Sequence, residues 1–95
     1  MVDKNVAKIL RQRVQSAAKV IAASGALFPM LRVSVRHPQY GWQIVSASNS
    51  AAVILNDFTY YHNLFEGEVD MTVTRISGDQ IWSVLLSYDV DGVRA

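Results

Sequence analysis

The chain has no cysteine, only two prolines and five glycines, and charged residues make up just 18% of it. Without cysteine there is no disulfide framework, no thiolate metal centre and no cysteine nucleophile. No apolar run approaches the roughly 20 residues that a membrane-spanning helix needs. Lys4, Lys8, Arg11, Arg13 and Lys19 interrupt any apolar core segment near the start, so no secretory leader is read there. The expectation is a cytoplasmic protein without membrane contact. There are two histidines, and neither a glycine-rich phosphate loop nor a nucleophile-elbow pattern occurs. Asp57 and His62 are five apart, outside the spacing of three or four that brings helical side chains together. No catalytic residue, no cofactor and no metal is expected, and the chain reads as non-enzymatic.

What is present is apolar and divided in charge. Half of the 95 residues are hydrophobic, enough for one domain over 1–95 with a single core. The formal net charge of +1 conceals an asymmetry. Residues 1–47 hold seven Lys or Arg against Asp3 alone, and residues 48–95 hold two Arg against seven acids. Two surfaces of opposite sign, or mutual neutralisation within the domain, would both follow from this division.

Residues 3–24 read as an amphipathic helix. At 100° per residue Val6, Ile9, Leu10, Val14, Ala17, Val20 and Ile21 share one arc, opposite Lys4, Lys8, Arg11, Gln15 and Lys19. Gly25 is placed to end it and Pro29 blocks continuation. Met30 to Arg36 alternates, His37-Pro38-Gln39 breaks the run, and Tyr40 to Ala47 resumes it as a hairpin. Trp42 and Ile44 share a face there and are read as core. Ser48, Asn49 and Ser50 offer N-caps for a second helix to about Phe65, with Ala51, Ile54, Leu55, Phe58, Tyr61 and Phe65 on one arc and Gly67 as its stop. A second hairpin closes at Gly78-Asp79, a pair suited to the positive φ of a two-residue turn. That closure sets Val73 opposite Val84, Met71 opposite Leu86, Val69 opposite Tyr88 and Arg75 opposite Trp82. The fold predicted is α+β: a two-layer helix–hairpin–helix–hairpin (αββαββ) with a four-stranded antiparallel sheet covered by two helices on one face.

Three groups of residues are candidates for function. The same register brings Glu66, Glu68, Asp70, Asp89 and Asp91 to one end of the hairpin, where like charges repel across the ladder. Fraying into solvent, cover by the basic first half of the chain, or a hard cation would each relieve that repulsion; contact with Lys or Arg is preferred to a bound cation. Val53, Tyr60 and Leu64, with Asp57 beside them, form a stripe on the second helix away from its core arc, the pattern of a protein interface. Arg13 lies at the centre of the first helix's apolar arc and must be paired or reach solvent, and an interface is one place for it. His62 is read as a satisfied core residue. A nucleic-acid surface would use Lys4, Lys8, Arg11 and Lys19 with Arg32 and Arg36.

The function expected is that of a small protein-binding adaptor or inhibitor that forms a homo-oligomer. Nucleic-acid binding is the alternative.

Overall fold

The structure, a computed structural model, describes residues 4–77 and 81–94. Both predicted helices form, α1 over Lys4–Ser24 and α2 over Ala51–Leu64. Five strands accompany them: β1 (Leu31–His37), β2 (Gly41–Ser48), β3 (Met71–Ser77), β4 (Ile81–Asp89) and β5 (Gly92–Arg94). The sheet is antiparallel throughout in the order β2-β1-β3-β4-β5. The fold is therefore α+β as expected, but with five strands in place of four. The chain beyond Asp89 reverses at Val90-Asp91 and returns as β5 along β4.

The helix ends follow from local chemistry. Gly25 adopts φ 68° and its N–H donates to the Ala22 carbonyl, ending α1. Ser50 caps α2 by accepting from the Val53 N–H. At the other end of α2, Glu66 and Gly67 both turn left-handed, and the Gly67 N–H donates to the His62 carbonyl at 2.9 Å. A Cβ at Gly67 would lie 3.4 Å from the His62 ring, so this glycine is needed for backbone angle and for close approach alike.

Each hairpin contains a one-residue bulge. In the first, Val33 faces Ser46 and Ser34 faces Ile44, leaving Val45 as the extra residue. In the second, Val73 faces Leu86 and Thr74 faces Val84, leaving Leu85. The predicted pairing of Val73 with Val84 and of Met71 with Leu86 is therefore corrected, as is that of Arg75 with Trp82: Met71 faces Tyr88 and Arg75 faces Ser83. Two departures add up. Ser77 pairs with Ile81, one residue later than the register predicted, and the bulge adds one more. Strict alternation cannot accommodate Val84-Leu85-Leu86, whereas a bulge turns Val84 outward and buries Leu86. The Gly78-Asp79 turn itself lies outside the described residues.

The two hairpins have the same register forty residues apart, and Val33 pairs with Val73 across β1 and β3. An approximate twofold axis through that pair relates α1-β1-β2 to α2-β3-β4. The helices are exchanged between the halves: α1 packs on β4, α2 packs on β1 and β2, and the helices touch each other. One core results, formed by Val6, Leu10, Val14, Ala17 and Ile21 of α1, Ile54 and Phe58 of α2, and the inward residues Leu31, Val33, Val35, Met71, Val73 and Leu86. Burial of each large side chain contributes about 1.5–3 kcal/mol. Val20, expected in the core arc, is exposed. Trp42 and Ile44, also read as core, point to the face of the sheet that carries no helix, because β2 alternates in phase with the outward Ser34 and not with the inward Val33 and Val35.

Candidate functional site

Asp57 defines the orientation of α2. Its Oδ2 accepts from Ser46 Oγ of β2 at 2.5 Å, so this side of the helix leans over the outer strand of the sheet. Ala52, Leu55, Asn56 and Thr59 face α1 across an open groove, and Ile54, Phe58 and His62 face the sheet. The remaining face, above β2, carries Val53, Tyr60 and Leu64, exposed to 42%, 53% and 56%. The predicted stripe thus exists as an apolar strip bordering the edge of the sheet. Below it β2 (Gly41–Ser48) has no charged residue. On the opposite face of the same strand stand Trp42 and Ile44, exposed to 49% and 54%.

Arg13, expected to be paired or to reach solvent, has a partner within the chain. Its Nη1 donates to the Leu85 carbonyl at 2.9 Å. Leu85 is the extra residue of the second bulge, and a bulge leaves a carbonyl outside the regular ladder. A cation on the apolar arc of α1 thus satisfies an irregularity in the strand beneath it.

The acidic residues do not assemble as predicted. Glu66 and Glu68 lie exposed in the connection between α2 and β3, because β3 begins only at Met71. The expected pairing of Glu68 with Asp89 and of Glu66 with Asp91 is thereby overturned. Asp70, Asp89 and Asp91 do come together around the β4–β5 turn. Asp70 Oδ1 accepts from the Val90 N–H, Asp89 Oδ1 accepts from the Asp91 N–H, and Asp70 Oδ2 pairs with Arg36 at 3.2 Å. These carboxylates order a turn, and a residue of the basic first half meets one of them. Among the described residues no group of three His, Asp or Glu is arranged to hold a metal ion.

His62 is buried, and its Nε2 lies 3.2 Å from the Tyr88 hydroxyl. Burial lowers its pKa below the ordinary histidine value, with the Asn63 side chain opposing. The ring is packed against Phe58, Tyr88 and Gly67.

The basic residues are separated by the sheet. Lys4, Lys8, Arg11 and Lys19 are exposed on the outer face of α1, whereas Arg32 and Arg36 alternate with the buried Leu31, Val33 and Val35 and so face the opposite side. Trp42 stands directly across from Arg36 on that helix-free face. Sequence reasoning missed this face and the open edge of β2; the alternation of β2 was visible, but not its bulge.

Comparison with models of protein families, with curated proteins and with solved structures finds no match. No helix among the described residues is long and apolar enough to cross a membrane.

Proposed function

We propose that this chain is a non-enzymatic protein-binding module of the adaptor or inhibitor kind that self-associates through α2. One observation carries the reading: the outer face of α2 exposes Val53, Tyr60 and Leu64 together, and its one charge, Asp57, is bonded down onto Ser46. A solvated helix face is normally charged, as that of α1 is, while depletion of charge with an aromatic at the centre characterises contact surfaces. Tyrosine suits the position because a large apolar body ends in a hydrogen-bonding tip.

Sedimentation at micromolar concentration tests this. The wild type sediments as a dimer or larger, and Tyr60→Glu shifts it toward monomer with an unchanged far-ultraviolet spectrum. A monomeric wild type removes the self-association.

Arg32, Arg36 and Trp42 on one face of the sheet favour the second reading, nucleic-acid binding, since cations beside an aromatic hold phosphates and stack bases. The Arg36–Asp70 pair counts against it. Anisotropy of a labelled oligonucleotide over a salt series decides: binding that weakens steeply with salt supports this reading.

A further inference from the structure

The approximate twofold axis within the chain offers an internal comparison of edges. β2 and β4 occupy equivalent places at the outside of the two hairpins. The last three residues of β4, Ser87, Tyr88 and Asp89, have a further strand on their outer side, β5, supplied by the chain itself. Among the described residues nothing pairs with the outer side of β2, although it is eight residues long and carries no charge, proline or other device that blunts an edge beyond its one bulge.

Resting on the reading of α2 as a self-associating surface, we infer that the occupant of this edge is the β2 strand of a second copy, paired antiparallel, so that two five-stranded sheets become one of ten strands. Four observations converge on a second copy. The first is geometric. The twofold axis of antiparallel edge pairing stands perpendicular to the sheet, so it keeps both helix layers on the same side and brings α2 alongside α2. Adjacent strands lie about 4.8 Å apart. A helix resting over both β1 and β2 is then about 5 Å from the axis and about 10 Å from its mate, the contact distance of packed helices.

The second is self-complementarity. Two antiparallel α2 helices set Val53 of one copy near Leu64 of the other and Tyr60 near the second copy's Asp57, where a phenol can donate to a carboxylate. On the other face of the sheet the same axis, which passes near Ser46 because Asp57 lies over it, brings the exposed Ile44 close to its own counterpart. Charge supplies the third. With no charged side chain on β2 and Asp57 already held by Ser46, the approach of an identical strand and helix face meets little repulsion.

The fourth is area. Eight residues span about 27 Å and the helix and sheet layers together are about 20 Å deep. Two copies therefore cover about 1,000 Å² in total, the lower bound for a specific interface.

Hydrogen exchange on the wild-type chain is the first test. Backbone amides in 41–48 become more protected as protein concentration rises through the dissociation constant, while those of α1 do not change. Two variants check the contact independently: Ile44→Lys, at an exposed position, weakens association by at least about tenfold, and in this cysteine-free chain Ile44→Cys is cross-linked into dimers by a short bifunctional thiol reagent while Val20→Cys is not. If Tyr60→Glu dissociates the wild-type assembly but exchange in 41–48 is independent of concentration and Ile44→Lys has no effect, the helices meet without the edges. Edge pairing is then wrong and the proposed function stands. A wild type that stays monomeric overturns both.

Discussion

The two sides of this molecule are made from the same hairpin but are finished differently. On the α1–β4 side the helix turns Lys4, Lys8, Arg11 and Lys19 to solvent, Arg13 binds the bulged Leu85 carbonyl, and β5 lies along the last three residues of the edge. On the α2–β2 side the helix turns Val53, Tyr60 and Leu64 outward, the strand exposes Trp42 and Ile44, and the edge is open. Each bulge adds an aliphatic residue packed against the core, Leu85 on one side and Val45 on the other. The interior therefore treats the two halves alike. The difference is confined to the surface: one half is partly covered by the chain itself, at Ser87–Asp89, and the other has the composition of a surface completed from outside.

If that is correct, truncation of the core is damaging on either side. Leu10→Ala in α1 and Phe58→Ala in α2 each remove a fully buried side chain, and both lose stability, by about 2–5 and about 3–5 kcal/mol respectively, in chemical denaturation at concentrations where the chain is monomeric. A loss of under about 1 kcal/mol for Phe58→Ala would show that the α2 side is loosely packed, and the contrast would then extend below the surface.

A smaller effect separates the two kinds of charge on α1. Arg13→Met removes the donor to Leu85 but keeps an apolar stem on the core, and lowers stability by about 1.5–3 kcal/mol, the range for a hydrogen bond to a charged group. Arg11→Met on the exposed face changes it by no more than about 0.5 kcal/mol. Equal effects would mean that the guanidinium does not hold the bulge.

This bond also marks the limit of what could be read without coordinates. Both helices, their stops at Gly25 and Gly67 and the cap at Ser50 were legible because caps and periodicity are local. The stripe on α2 was legible for the same reason. The strand partners were not, since one extra residue in each of two turns or ladders moves every pair while leaving the apolar pattern nearly intact. The adjacent aliphatics Ile44-Val45 and Val84-Leu85-Leu86 were the trace of the bulges in the sequence. Arg13, read as a cation in search of a partner, could find Leu85 only after the bulge had been placed. The recurrence of Trp42 at Trp82 and of Val33 at Val73 becomes a repeat once the two registers are seen to agree.

His62 gives the core on the α2 side a dependence on pH. Its folded-state pKa is lowered, chiefly by burial, so acid protonates the unfolded chain first and draws it away from the folded state. The neutral ring's contribution is fully present above about 6.5, the unfolded value, and is lost as pH falls from there through the lowered folded value. Denaturation midpoints followed through this window decline for the wild type, and His62→Gln, which can still bond Tyr88, flattens that part of the decline. An unaltered slope would assign the acid sensitivity to other groups.

The smallest effect tests the finished edge. Asp70→Asn removes the ion pair with Arg36 but retains an oxygen for the Val90 N–H, so it isolates the charge. The pair is largely solvent-exposed, and the change is under about 1 kcal/mol and shrinks with added salt. Asp70→Ala also removes the acceptor that holds the β4–β5 turn, and here the informative readout is local. Amides of Ser87–Asp89 and Gly92–Arg94 exchange faster while those of β1 do not, because β5 loosens from the edge of β4. Melting curves with Ca²⁺, Mg²⁺ or chelator coincide, since the Val90 N–H and Arg36 already take both Asp70 oxygens and the Asp91 N–H takes Asp89 Oδ1; a rise with either cation would return the turn to metal binding. If Asp70→Ala also promotes association through the part of β4 that β5 covers, Ser87–Asp89, an open edge is sufficient for self-pairing in this fold. If it does not, the apolar face of α2 above β2 is what distinguishes the two sides.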